Sequence, residues 1–320
     1  MAANQIPLIM ERLDKIVTED RARKYPTALI VKIIVILRIY GISYRSSKYF
    51  FNNHREFMGL LDITGIPDFR TLSYRSLRID WHYINSAIID IINPENDSAA
   101  IDSSIVKTCK DATAQRRRKS KKYKDLDSSW GYSTMGYEYG RKMHASIDID
   151  SLSIQEWKIT TASVYDKNMA FEMIDSVRDY NYILMDAAYD SSDVYDYMFE
   201  NTHAVPVIDT NRRRGIVEDR LTYNRKLEIA IRKRESSMYK LRWEIERTFS
   251  ILKEILGMEY VWYVRNKNYD ATIGKIIVAY NCIIMANKIA GLYFYPSFFY
   301  GLFCTSWRVN PYKFQCLCRR

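Results

Sequence analysis

Residues 182–193 read YILMDAAYDSSD, and this stretch indicates the fold class. A short apolar run predicts a buried strand at 181–185 that delivers Asp186 to its carboxyl end. A helix is expected at 190–200, with Asp190 as its N-cap. Because ligand sites of open α/β sheets cluster at the carboxyl ends of strands, Asp186 is free to serve such a site.

A second carboxylate lies in a similar apolar setting. Residues 99–106 read AAIDSSIV, so Asp102 interrupts a strand-like segment. A carboxylate in such a strand is costly unless it is hydrogen-bonded or bound to a cation. The alternative is an ordinary aspartate at a turn or a strand end.

The remaining periodicity predicts an α/β domain with a mixed sheet flanked by helices. Asp68 is the expected N-cap of one long helix over 69–92, and the segment 110–141 is expected to be a basic loop. The other predicted strands are 142–149, 154–161 and 204–208, and the other predicted helices are 167–178, 239–256 and 268–290.

Three regions are expected along the chain. Residues 1–95 are all-helical, either a helix-turn-helix-like DNA reader or a plain helical bundle. Residues 96–290 form the α/β domain, and residues 291–320 form an aromatic, cysteine-rich tail of unknown role.

Basic residues are concentrated in two runs, and the 320-residue chain has a formal net charge of +10. One run, QRRRKSKKYK, occupies 115–124, and the second extends over 212–240. Each run alone fits a solvated loop or helix face. Because both flank candidate carboxylates, they favour a phosphate-binding surface. The arginines in these runs that we expect to contact DNA are Arg116, Arg117, Arg118, Arg212 and Arg213.

The composition disfavours several other classes of protein. The five cysteines include no paired CxxC motif, and the sequence does not begin with an apolar signal core, so a reduced intracellular protein is expected. The early apolar run 28–37 is interrupted by Lys32 and is too short to span a bilayer. No membrane partner is expected.

The third candidate carboxylate is Glu246, in the helical stretch YKLRWEIERTFSILK at 239–253. At about 100° per residue, Tyr239, Arg242, Glu246 and Lys253 fall on one polar stripe beside an apolar face. Glu244 points to the other side. The alternative is a surface pair between Arg242 and Glu246, worth only a few tenths of a kcal/mol.

Together, Asp102, Asp186 and Glu246 predict a site for hard divalent cations, which prefer carboxylate oxygens and retain waters or substrate phosphates as further ligands. Two such cations can activate an attacking oxygen and stabilise a leaving oxygen in phosphodiester cleavage. Nearby basic residues would hold the phosphates in line.

The spacing Tyr, two residues, Arg, three residues, Glu, six residues, Lys resembles the Y-R-E-K signature of insertion-sequence DDE transposases of the cut-and-paste branch. Three further segments resemble the same family in order, namely IDSSIVK at 101–107, GRKMHASID at 140–148 and MDAAYDS at 185–191. The resemblance covers about 97–290 and, more loosely, the N-terminal region.

This resemblance implies a ribonuclease-H-like fold in which Asp102, Asp186 and Glu246 bind two Mg²⁺ ions, with Mn²⁺ as a substitute. It also implies DNA contacts by Tyr239, Arg242 and Lys253, and it places Lys142 and His144 on the neighbouring strand. Lys142 is then a further candidate DNA contact, whereas His144 fits a packed or hydrogen-bonded strand histidine at least as well.

The partners implied are the terminal inverted repeats of a transposable element and a target DNA, bound by a homodimer in the prokaryotic cytoplasm at the nucleoid. Two alternatives stay open. One is a ribonuclease-H-like nuclease that does not join strands. The other is a decayed DNA-binding protein, which the unusual tail favours and the intact triad disfavours.

Overall fold

A mixed six-stranded sheet forms the centre of the computed structural model. The strands are β1 Ser98–Lys107, β2 Ser129–Ser133, β3 Gly136–Asp148, β4 Ile154–Thr161, β5 Tyr182–Met185 and β6 Val205–Ile208. The helices are α1 Gln5–Ile16, α2 Thr27–Ile39, α3 Ser47–Asn53, α4 Arg55–Leu60, α5 Phe69–Ser76, α6 Trp81–Ile92, α7 Ala170–Asp175, α8 Ser192–Asn201, α9 Tyr223–Arg234, α10 Ser236–Tyr239, α11 Trp243–Ser250 and α12 Asn266–Ile289. The structure describes residues 5–18, 24–110, 113–114, 125, 127–133, 136–211, 221–262 and 265–292.

The strand order confirms the expected mixed sheet. β1 is central, with β3 antiparallel on one side and β5 parallel on the other. β6 continues the parallel half beside β5. On the far edge of β3, β2 pairs with its first residues and β4 with its later ones.

Helices cover both faces of the sheet, and side-chain alternation along β1 shows which face each residue meets. Ala99 and Ile101 join a core cluster that contains residues of α7 and α8. Ala100 joins the larger cluster, which contains residues of α11, α12 and the N-terminal helices. The N-terminal helices and the sheet therefore share one continuous core.

Helix α12 is the central helix of that larger core. It is long and apolar enough to cross a membrane by length and composition alone, but 89% of its most apolar window is buried inside the protein. It packs against α6, α2 and α1. Gly274 permits the close approach to α6, because a Cβ there would lie 2.6 Å from Cβ of Trp81.

The predicted single helix over 69–92 is wrong, because the chain forms α5 and α6 with a corner between them. Asp68 does cap α5, where its Oδ1 accepts a hydrogen bond from the Arg70 amide at 3.0 Å. The corner forms because Asp80 caps α6 by accepting from the Tyr83 amide at 3.0 Å. The Trp81 indole also donates across the corner to the Ser76 carbonyl at 2.8 Å.

The predicted basic loop over 110–141 is also wrong in its second half. A hairpin of β2 and the first residues of β3 occupies that part, with Trp130 paired to Tyr139 and Tyr132 paired to Tyr137. Aromatic cross-strand pairs stabilise such a ladder although the segment lacks a regular apolar alternation.

Candidate active site

The register of the two central parallel strands brings Asp102 and Asp186 together. Ala100 pairs with Leu184 and Ile101 with Met185. The residue after Ile101 is Asp102, and the residue after Met185 is Asp186. Both aspartates share the alternation phase of Ala100 and Leu184, whose side chains belong to the larger core. The two carboxylates therefore lie side by side on the face that α11 covers.

Helix α11 supplies the third carboxylate, and Arg242 links it to the strands. The guanidinium donates through Nη1 to Asp102 Oδ2 at 2.9 Å and through Nη2 to Glu246 Oε1 at 2.8 Å. Glu244 pairs with Arg247 at 2.7 Å. As the helical spacing predicts, the two glutamates are held by different arginines, and only Glu246 is joined to Asp102.

Burial and the neighbouring negative charges raise the pKa values of both aspartates in this cluster. Burial, together with the charge of Asp186, raises the pKa of Asp102 to about 7, although Arg242 and the Ser103 amide act in the opposite direction. Burial also raises the pKa of Asp186, against a hydrogen bond from the Ala188 amide and the charge of Arg242. A cation placed among these oxygens would relieve that repulsion.

Tyr239 and Lys253, the other members of the predicted polar stripe, have different surroundings. The ring of Tyr239 lies beside Arg242, at 5.7 Å from its guanidinium carbon, and beside Arg232 at 3.6 Å. The π-helical turn Ile251–Ile255 follows α11, and its Lys253 lies near the charges of Glu138 and Lys107. Burial lowers the pKa of Lys253, which the charge of Glu138 opposes.

Lys142 and His144 lie on β3, one strand away from Asp102. The Lys142 ammonium is held inside the protein, at 2.9 Å from Asp166 Oδ1 and 2.8 Å from the Val164 carbonyl. His144 is fully buried, with Nε2 2.9 Å from Thr160 Oγ1. Its burial, assisted by the Lys142 charge, lowers its pKa to about 4. His144 is therefore a buried, hydrogen-bonded strand histidine.

Sequence reasoning missed Asp166, Ser103 and Tyr189. Asp166 accepts hydrogen bonds from Ser103 and Lys142, and its charge raises the pKa of both Asp102 and Asp186. The buried Tyr189 has its pKa raised well above the usual value by burial and by Asp102. The segment that precedes Asp166 has no strand or helix period, so no signal pointed to this residue.

The predicted role of Asp190 as an N-cap is wrong. The N-cap position of α8 is Ser191, and Asp190 is instead a buried anchor for α9. Arg225 donates to it at 2.6 Å and the Tyr195 hydroxyl at 2.5 Å. A buried carboxylate with these partners is stabilised by charge-assisted hydrogen bonds, which are stronger than the hydrogen bond that an N-cap side chain accepts from a helix amide.

Five of the predicted DNA contacts, Arg116, Arg117, Arg118, Arg212 and Arg213, lie outside the described residues. Within the described part of the second basic run, α9 presents Lys226, Lys233 and Arg234 at the surface. Because α9 precedes α10 and α11 directly in the chain, these cations are on the segment that leads to Glu246.

The residues present fit divalent cations by their donor chemistry. Asp102, Asp186 and Glu246 offer carboxylate oxygens, the ligands that Mg²⁺ and Mn²⁺ prefer. The guanidinium of Arg242 lies between two of them, in the place where positive charge is required. Arg242 bridges Asp102 and Glu246, and Asp186 follows the neighbouring strand β5. In the part of the chain that the structure describes, no three histidine, cysteine, aspartate or glutamate side chains are grouped closely enough to hold a metal ion.

Comparison with known proteins identifies the family of the chain. A family model described as a transposase DDE domain matches residues 94–282. The cryo-EM structure of a piggyBac transposase synaptic complex with hairpin DNA is similar at 11% identity and a TM-score of 0.47, covering 94% of this chain and 79% of that chain. No curated protein matches the chain. Since the matched segment is more than half of the 320 residues, the chain belongs to the transposase DDE-domain family and is a DNA transposase.

Proposed function

We propose that this transposase cuts DNA at the ends of a transposable element and joins those ends to target DNA, with Asp102, Asp186 and Glu246 as the catalytic, cation-binding residues. The observation that carries the proposal is that Arg242 bridges Asp102 and Glu246, while Asp186 follows the strand that pairs with β1 beside Asp102. The spacing of Tyr239, Arg242, Glu246 and Lys253 supports assignment to the Y-R-E-K insertion-sequence branch.

Mg²⁺ is the proposed cation, and Mn²⁺ is a substitute with the same ligand preference. When bound, two such ions would activate the attacking oxygen and stabilise the leaving oxygen of the phosphodiester. Asp102 lies on β1 and Asp186 directly follows β5, so the last ladder pair, Ile101 with Met185, holds the two aspartates next to each other. Glu246, on a helix, supplies the third side of the site.

Arg242 has a second proposed role once the carboxylates bind cations. Its guanidinium bridges Asp102 and Glu246 in the structure, so it must release at least one of them. A freed guanidinium beside the scissile phosphate can bind two phosphate oxygens at once. Tyr239, stacked beside Arg242, restricts where the released side chain can move. We therefore place Arg242 and Tyr239 at the DNA backbone, with Lys253 as a further contact. Lys142 is not placed there, because its ammonium is held inside the protein by Asp166 and the Val164 carbonyl.

The N-terminal region, residues 1–95, is proposed to bind the element's ends. Helix α5 and the corner after it expose Arg70, Tyr74 and Arg78 at four-residue intervals, which places them on one face. Arg75 points inward instead, and donates to Thr27 Oγ1 at 2.7 Å. Because two ends must be joined in one event, a homodimer on DNA completes the proposal.

A strand-transfer assay tests the proposal. The full chain is incubated with labelled DNA carrying the element's terminal inverted repeats, a target plasmid and Mg²⁺. We expect cleaved ends and covalently joined product. Cleavage without joining would favour a nuclease, and binding without cleavage would favour a decayed DNA-binding protein. Binding to the ends should weaken steeply as salt rises, because cation release from the phosphates contributes to affinity.

A further inference from the structure

Asp166 is a carboxylate outside the proposed cation-binding triad, and it lies behind the strand that carries Asp102. It begins the short 3-10 helix Asp166–Met169, which leads into α7. Its Oδ1 accepts hydrogen bonds from Ser103 Oγ at 2.6 Å and from Lys142 Nζ at 2.9 Å. One carboxylate oxygen thus ties the segment after β4 to both β1 and β3.

Ser103 connects Asp166 to the proposed active site. Its hydroxyl donates to Asp166, and its backbone N–H donates to Asp102 Oδ1 at 2.7 Å. Because successive side chains of a strand point to opposite faces, Asp102 faces α11 while Ser103 faces α7. Asp166 therefore acts on Asp102 through Ser103 and through space, from the opposite face of the sheet.

The surroundings of Asp166 restrain it more tightly than a surface ion pair. The Lys142 side chain is only 10% exposed and that of Asp166 only 20%. Lys142 is itself held by the Val164 carbonyl, and the buried His144 places Nδ1 at 3.7 Å from the same Asp166 oxygen. Exposed ion pairs pay side-chain entropy and contribute little, whereas this carboxylate is fixed on several sides.

We propose that Asp166 is a positioning residue for DNA cleavage, which holds Ser103, and through Ser103 the carboxylate of Asp102, in the orientation that cation binding requires. This inference rests on the proposed function, because it assumes that Asp102 binds the catalytic cation. Partners that orient a ligating carboxylate typically affect metal affinity or activity by about 10- to 100-fold when they are removed.

The test compares Asp166→Ala, Asp166→Asn and Ser103→Ala in the full chain bound to end DNA. Both alanine variants should lower the single-turnover cleavage rate and the Mn²⁺ affinity by about 10- to 100-fold. Asp166→Asn retains an oxygen for the Ser103 hydroxyl and should recover part of each loss. The double alanine variant should be no worse than the more impaired single variant, because both changes remove the same contact.

Asp175→Asn is the matched control, because Asp175 lies on α7 and, among the described residues, accepts a hydrogen bond from the Tyr197 hydroxyl alone, at 2.7 Å. It should cleave like the unmodified chain. Mn²⁺ affinity is read from the electron paramagnetic resonance of the free ion, and end binding and thermal melting are measured in parallel. If Asp166→Ala does not fold, Ser103→Ala carries the test, since it leaves the Asp166 carboxylate and its ion pair in place.

Unchanged cleavage and Mn²⁺ affinity in Ser103→Ala would overturn the inference, as would additive losses in the double variant. A purely structural Asp166 would lower the melting temperature and leave both readouts unchanged, which also overturns it. Normal cleavage by Asp102→Asn would instead refute the proposed function. An inactive Asp102→Asn beside fully active Asp166 and Ser103 variants would refute this inference alone.

Discussion

Arg242, in the turn that precedes α11, offers a direct test of the electrostatics of the site, because α11 carries another arginine, Arg247, in a contrasting position. Arg242 and Asp102 have side chains only 17% and 16% exposed, whereas Arg247 is 46% exposed and pairs with Glu244 on its own helix. The paired substitutions Arg242→Met and Arg247→Met each remove one guanidinium and keep an unbranched apolar stem.

The expected costs follow from the partners of each arginine. The hydrogen bond from Arg242 to Asp102 is charge-assisted and largely buried, and contributes roughly 2 kcal/mol. Its bond to Glu246, a residue 56% exposed, adds about 0.3 kcal/mol. The raised pKa of Asp102, about 7, limits the loss, since the stranded carboxyl can take up a proton near neutral pH. Arg247→Met should cost only about 0.3 kcal/mol.

Urea unfolding at pH 8 with a metal chelator measures both free energies of unfolding. We expect a gap of about 2 kcal/mol between the two variants, and we expect the gap to shrink in saturating Mg²⁺, because cations would then neutralise Asp102. Equal costs for the two substitutions would refute the reasoning that Arg242 compensates a buried acidic site.

Three further outcomes follow from described contacts. Burial alone would lower the pKa of His82, but hydrogen bonds to Asp270 and Glu156 raise it to about 9. Below pH 6.5, His82→Gln should therefore lower the free energy of unfolding by about 1 kcal/mol, a figure discounted because the side chain is 37% exposed. In chemical denaturation this loss should disappear as the pH rises through 9. Gly274→Ala should destabilise the fold by about 1 to 3 kcal/mol through overpacking against α6, which outweighs the gain of about 1 kcal/mol in helix propensity. Thermal melting measures the loss, and an unchanged melting temperature would argue against the close approach of the two helices. Asp190→Asn should lower the free energy of unfolding by about 3 kcal/mol, because it leaves the guanidinium of Arg225 without its charged partner. Limited proteolysis should then cut within α9, and equal protease resistance of the variant and the unmodified chain would contradict the anchoring role.

Much of the catalytic half of the fold is readable from the sequence, because its strands are short apolar runs. The runs ending at Met185 and Ile208 become β5 and β6 within a residue or two of prediction. The position of Glu246 opposite Glu244 follows from helix geometry alone. Local periodicity suffices in these cases because a single element determines the outcome.

Features that depend on tertiary partners are not readable in this way. The corner between α5 and α6 depends on a cap and on an indole hydrogen bond across it. The π-helical turn after α11 separates Lys253 from the stripe that ideal helical spacing predicts. Asp166 meets Ser103 across 63 residues of sequence, and no spacing rule connects them. Asp190 likewise looks like a cap until Arg225 is brought to it by folding.

The most direct test of the proposed active site is the cleavage rate of Glu246→Gln beside that of Glu244→Gln. Both substitutions remove one carboxylate charge from α11, but only Glu246 is joined through Arg242 to Asp102. Single-turnover cleavage of terminal-repeat DNA in Mg²⁺ should be abolished in Glu246→Gln and nearly normal in Glu244→Gln, with end binding retained in both. Undiminished cleavage by Glu246→Gln would contradict the assignment of the catalytic carboxylates.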